Sequence, residues 1–169
     1  SEAEVINSST EFTNNHFTFA RGSRAGVKPR MGVVGPQGIV GIIQHVSPHF
    51  SHAFSILHSQ MKISVRHHPS GYIGSLVWPG EDPTHMQVLY IPKSVPVQPG
   101  DSILTSGYST HFPPDILVGI VDTSYTPSGS STMEIDLTLV KDLQSIRYAY
   151  IVKDAFSEEI QALENQPDE

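Results

Sequence analysis

Three groups of residues in this sequence have types and spacings that chemistry could use. Gly100-Asp101-Ser102 has the order of a nucleophile loop, in which glycines after the serine free backbone N–H groups to stabilise an oxyanion. Here Ile103 and Leu104 follow instead, and two bulky apolar residues suit a strand entering a core, so the triplet reads as a polar turn. There is no GxSxG elbow and no glycine-rich phosphate loop.

Nine histidines form the second group, with His49-x-x-His52, His58, His67-His68 and His85 the obvious metal candidates. A zinc site in strands needs ligands two apart on one face, or a tight pair with distant partners and carboxylate support. His49 and His52 lack an adjacent Asp or Glu, and adjacent His67 and His68 point to opposite sides of a strand. They read as solvated loop histidines that make surface charge sensitive to pH between about 5 and 7. The third group, Glu81, Asp82, Asp101 and Asp115, sits beside Gly or Pro, where carboxylates cap turns, and does not form a glycosidase pair. No catalytic residue, metal site or cofactor is expected.

The aromatics carry more information. Tyr72 and Trp78 lie in a strand, and Tyr108 and Phe112 in the loop TSGYSTHFPP, where a large ring is either tucked beneath the chain or offered to a partner. These four are the candidate partner-binding residues. Pro113-Pro114 behind Phe112 favours tucking for that ring, whereas Tyr108 suits either place.

The elements that position these residues come from a unit used twice. VKPRMGVV, a Pro-Gln-Gly turn and IVGII start at Val27; VQPGDSIL, a longer loop and LVGIV start at Val97. Val27 matches Val97, Pro29 matches Pro99 and Gly41 matches Gly119, which suggests two small β-subdomains. Met133 to Val140 alternates apolar and polar side chains, the pattern of a half-buried antiparallel strand. Further strands are expected at Ala3 to Asn7, around Phe17 and Phe19, and at Ile39 to Val46, Ala53 to Leu57 and Lys62 to Arg66. Others are expected at Tyr72 to Trp78, Met86 to Ile91 and Ile146 to Val152. In Ile39 to Val46 neither face is clearly apolar.

The expectation is an all-β protein of two small barrel-like subdomains, built from about a dozen short, mainly antiparallel strands. Residues 1–15 are a polar lead-in, 16–70 the first subdomain, 71–152 the second, and 153–169 an acidic tail. The last strand is free to return to the first half.

Composition narrows the function classes. The 169 residues carry 10 Lys+Arg against 17 Asp+Glu, a net charge of −7, which repels nucleic acid. The absence of cysteine removes disulfides and thiolate chemistry. No apolar run approaches the ~20 residues of a spanning helix. A chain that begins with serine is expected to be a processed product or an excised domain, separated from any anchor.

NNHFTFARGSRAGVKPRMGVVGPQGIVGII, SGYIGSLVWPG and GDSILTSGYSTHFPPDILVGIV resemble the extracytoplasmic domain of the rod shape-determining MreC family, in a version similar to those of Bacteroidota. The resemblance covers about Ala3 to Val152. Its glycine-rich opening loop falls on Arg21 to Val27, its TSG segment on Gly100 to Gly107, and its FP segment on Phe112 to Val121. Arg30 stands where the family often has glycine, and Pro114-Asp115 where it often has an acidic residue and then glycine.

The resemblance implies a non-enzymatic, self-associating scaffold of the cell-elongation complex that positions peptidoglycan synthases. Its implied partners are the elongation-specific penicillin-binding transpeptidase, MreD, and MreB through an N-terminal part absent here. Its implied place is the periplasmic side of the inner membrane, on a single N-terminal anchor that would be its only membrane contact. No nucleic-acid partner is implied. One barrel of the family is similar in fold to trypsin-like proteases, and a trypsin-like hydrolase or a degenerate relative is the alternative. That alternative requires Ser102, Ser106 or Ser109 within reach of a histidine held by a carboxylate.

Overall fold

The computed structural model describes residues 1–8, 14–36, 38–108, 111–140, 143, 146–152 and 162–167. Its strands are β1 (Glu2–Ser8), β2 (Asn14–Phe19), β3 (Gly32–Gly35), β4 (Gly38–Val46), β5 (Ser51–His58) and β6 (Ile63–His68). They continue as β7 (Ile73–Val77), β8 (His85–Pro92), β9 (Ser102–Thr105), β10 (Leu117–Tyr125), β11 (Thr132–Leu139) and β12 (Tyr148–Ile151). Every pairing is antiparallel, and the strands close into two six-stranded barrels, ordered β1-β12-β3-β4-β5-β2 and β10-β11-β8-β7-β6-β9. This is the expected all-β, two-barrel class.

Alternation does most of the work. In β11, Met133, Ile135 and Leu137 point into the second barrel, and Glu134, Asp136 and Thr138 face outward. In β2, Phe17 and Phe19 fill the first barrel while His16 and Thr18 sit on its wall. β4 lacks a clear alternation because Gly38 to Ile43 are buried on both faces. Val118, Leu139, Val140 and Leu143 of the second barrel lie across Gly38, Ile39 and Ile56 and cover the outer side. Double burial removes the need for a polar face.

The repeated unit is a real geometric repeat. Arg30 N–H donates to Ile43 O at 2.7 Å and Ile43 N–H to Met31 O at 2.9 Å; Gly100 N–H donates to Val121 O at 2.9 Å and Val121 N–H to Asp101 O at 2.8 Å. A Cβ on Gly41 would stand 2.1 Å from Phe54 O, and one on Gly119 2.5 Å from Thr138 O, so in both copies the glycine admits the neighbouring backbone.

The strand orders are the same ring in a different chain order. Read from β7, the second barrel runs β7-β6-β9-β10-β11-β8, which superposes in order on β1-β12-β3-β4-β5-β2. The second barrel is therefore closed by a strand that precedes its unit, β6, and the first by one that follows everything else, β12.

This corrects the expected division of the chain. β6 falls within 16–70, but it pairs with β7 and β9 of the second barrel. Proximity along the chain suggested one sheet; the register places it in the other. β1, placed in a polar lead-in of residues 1–15, is a full stave paired with β12 and β2, with Ala3 in the core. β12 returns to the first barrel, where Tyr150 and Ile151 pair with Val34 and Val33. The acidic tail lies mostly outside the described residues, apart from a helical turn at 162–164.

Candidate interaction surface

The four aromatics separate into two inside and two outside. Trp78 is buried and its indole N–H donates to Asp82 O at 2.8 Å, which fastens the turn between β7 and β8. Phe112 is buried beneath its loop, against the position where a Cβ on Gly32 would lie. Each supports a loop from within. Tyr72 is 51% exposed and Tyr108 is 81% exposed, the highest value among the large apolar side chains of the described residues.

The tip of the β6–β7 hairpin carries Tyr72. His67 N–H donates to Tyr72 O, and Gly71 N–H returns to His67 O at 2.7 Å. Tyr108 follows Gly107, whose φ of +77° turns the chain outward. Its N–H donates to Ser106 Oγ at 3.1 Å, and the Ser106 hydroxyl donates to Ser64 Oγ at 2.7 Å, rooting the loop on β6. Because His68 pairs with Ser102 at one end and Ser106 meets Ser64 at the other, the two tyrosines lie at opposite ends of the β6–β9 pair.

A row of outward side chains lies between them, which the sequence reading missed. Register places Ile73 beside Arg66, Arg66 beside Leu104, and Leu104 beside Leu117. Ile73 and Leu117 are exposed, and Arg66 holds Asp115 through its Nε at 3.1 Å. Only the strand order across β7-β6-β9-β10 brings these residues together, although each is an apolar or charged residue at an outward position of its own strand. Tyr90 is a further exposed ring, turned outward with φ of +72° where the β8–β11 register shifts.

Among the described residues no hydrogen bond joins the hydroxyl of Ser102 or Ser106 to a histidine, and Ser109 lies outside them. A different chain does occur. His67 Nε2 donates to Asp101 Oδ2 at 2.8 Å, and its Nδ1 lies 2.6 Å from Ser70 Oγ, which also accepts the N–H of Tyr72 at 3.2 Å. The ring is wholly buried, and each nitrogen faces the partner opposite to that in a serine-hydrolase triad. The three residues clip the hairpin that carries Tyr72 to the turn before β9. The backbone N–H of Gln98, then His67, holds the Asp101 carboxyl below its ordinary range.

Among the described residues no three His, Asp or Glu side chains converge to hold a metal ion. His85 instead bonds Asp82 and Thr138 on the second barrel's outer wall, at 2.9 and 3.2 Å.

Comparison with known proteins agrees with this architecture. The family model described as rod shape-determining protein MreC, barrel core, matches residues 5–153. No curated protein matches. The solved structure of MreC from Pseudomonas aeruginosa is 20% identical with a TM-score of 0.81, covering 90% of this chain and 98% of its own. A structure described as the major periplasmic domain of the cell shape-determining filament MreC is also 20% identical, with a TM-score of 0.75 and coverage of 88% and 92%. MreC solved in complex with penicillin-binding protein PBP2 from Helicobacter pylori is 17% identical, with a TM-score of 0.71 and coverage of 91% and 98%.

Proposed function

The chain belongs to the MreC family of rod shape-determining proteins, and from that membership we propose that it is a non-catalytic scaffold that holds a peptidoglycan-synthesising transpeptidase in place. The observation that carries this reading is the family match over residues 5–153, which spans both barrels. The Helicobacter pylori complex supports a penicillin-binding protein as partner, and the relative described as a periplasmic domain supports an extracytoplasmic position; we further propose a single N-terminal membrane anchor. MreD, MreB through that N-terminal part, and further copies of the chain complete the proposed assembly.

On this reading the contact surface is the outer face of β7-β6-β9-β10, with Tyr108 and Tyr72 at its ends and Ile73 and Leu117 between. Exposed tyrosines and apolar side chains around one arginine have the composition of interface anchors. Tyr108→Ala removes the most exposed ring among the described residues without touching the core. Its affinity for the soluble part of the elongation transpeptidase is expected to fall about tenfold by calorimetry, with an unchanged melting temperature. If Tyr108→Ala and Tyr72→Ala both bind like the wild type, the contact lies on another face.

A further inference from the structure

Five of the nine histidines fall in one stretch of wall. β2, β4 and β5 contain no Asp, Glu, Lys or Arg, nor does the Ser47–Phe50 turn, but they carry His16, His45, His49, His52 and His58. Register brings most of them together: β5 is the middle strand, with His52 facing His45 on β4 and Thr18 on β2, while His16 faces Phe54 and Asn14 faces His58. Ring centroids are 4.7 Å apart for His16 and His52 and 6.2 Å for His45 and His52. His58 stacks on Phe54 at 4.0 Å and 9°.

Two details make this wall suited to neutral imidazole. His58 is buried, and its Nδ1 accepts the N–H of Gln60 at 3.1 Å; a proton on that nitrogen would set donor against donor. His16 Nδ1, beside the His52 ring, is a buried atom with no hydrogen-bond partner, so this part of the wall offers no acceptor to a charged neighbour.

No described group on the packed elements compensates. β1, the next strand beyond β2, presents Asn7 to Thr18, while Glu4 lies level with Ala20, past the end of β2. Arg21 and Arg24 line the concavity next to Pro48 and His49, and Lys62 follows β5. All three would add to a positive field. The second barrel meets β4 and β5 through Val118, Leu139, Val140 and Leu143, which carry no charge.

We propose that the β2-β5-β4 wall is an acid-responsive face: protonation of His52 and His58, packed against His16, His45 and Phe54, places charge inside the wall and loosens the first barrel while the second stays closed. Above the imidazole range the face is uncharged and partly aromatic, with Phe50 exposed at its edge. Below it, the same face is a cationic patch on an otherwise acidic protein. The sign follows from burial. Desolvation, then His16 and His45, lowers the pKa of His52; desolvation, then His16, lowers that of His58. The unfolded chain then binds more protons than the native one. The stability of this wall is complete above the ordinary value of about 6.5 and is lost as pH falls from there through the folded pKa values.

The test is hydrogen exchange at pH 7 and pH 5.5, corrected for intrinsic rates, with ring titration by NMR. Protection of the β2 and β5 amides is expected to fall about tenfold while β8 and β11 hold, and the His16→Gln/His52→Gln double variant is expected to lose most of that difference. Uniform loss across both barrels, or the same loss in the double variant, overturns the proposal. Should the variant not fold, the wild-type rings decide: midpoints for His52 and His58 below about 6.5 support it, and midpoints at or above that value overturn it.

Discussion

At the scale of single residues, the two departures from the family's turn pattern sit where the backbone is left-handed. Arg30 has φ of +76° and Asp115 +69°, and the counterpart of Arg30 in the second copy is Gly100 at +92°. An L-residue in that conformation costs roughly 1–2 kcal/mol, whereas glycine forfeits about 0.5–1 kcal/mol of chain entropy. Arg30→Gly is therefore expected to stabilise the fold by about 0.5 kcal/mol in denaturant titration. A loss of stability would mean that the Arg30 side chain makes a contact worth more than the strain. The sequence exposed this position, because the match of Pro29 to Pro99 aligns arginine with glycine. It could not reveal the Ser70–His67–Asp101 clip, since a buried histidine between two hydroxyl and carboxyl partners depends on a strand pairing across 34 residues.

At the scale of elements, strands were legible wherever one face is wet. β11 and β2 announce themselves through alternation, but β4 does not, because Ile39 and its neighbours serve two cores at once. Which barrel a strand joins was not legible. β6 follows β5 after a short connection and looks like its hairpin partner, yet its hydrogen bonds go to β7 and β9. The aromatic residues divide for a similar reason: Trp78 and Tyr72 flank the same strand, and only the course of the next turn decides that one is covered. The place of β12 between β1 and β3 makes a clear prediction. Ending the chain at residue 146 leaves both neighbours with open edges. Amide protection should disappear from β1 to β5 and persist in β7 to β11, as read by hydrogen exchange. Retained protection in β3 and β4 would show that five strands suffice.

At the scale of the whole molecule, the barrels meet through a polar bond beside an apolar seam. His111 Nδ1–H donates to Arg30 O at 2.6 Å, and the carbonyl of His111 presses on Gly32, where a Cβ would lie 1.9 Å from it. Gly32→Ala cannot be accommodated by a side-chain rotation, because the obstacle is backbone. It is expected to cost about 2 kcal/mol and to increase the radius of gyration in small-angle scattering, as the 111–112 loop lifts from the first barrel. Unchanged scattering with an unchanged melting temperature would mean that β3 shifts instead and the joint is compliant. Nothing in the local sequence around Gly32 signals this contact, since its partner lies 79 residues further along the chain.

The late return of β12 also sets an order of events for a chain that emerges from its N-terminal end. The second barrel has all its staves once residue 139 is out, whereas the first must wait with five until residue 151 arrives. The half made first is finished last. During that interval a compact insert already holds residues 63–139 together, which shortens the loop that β1 and β12 must close. The slot between β1 and β3 meanwhile keeps two unpaired strand edges until β12 fills it.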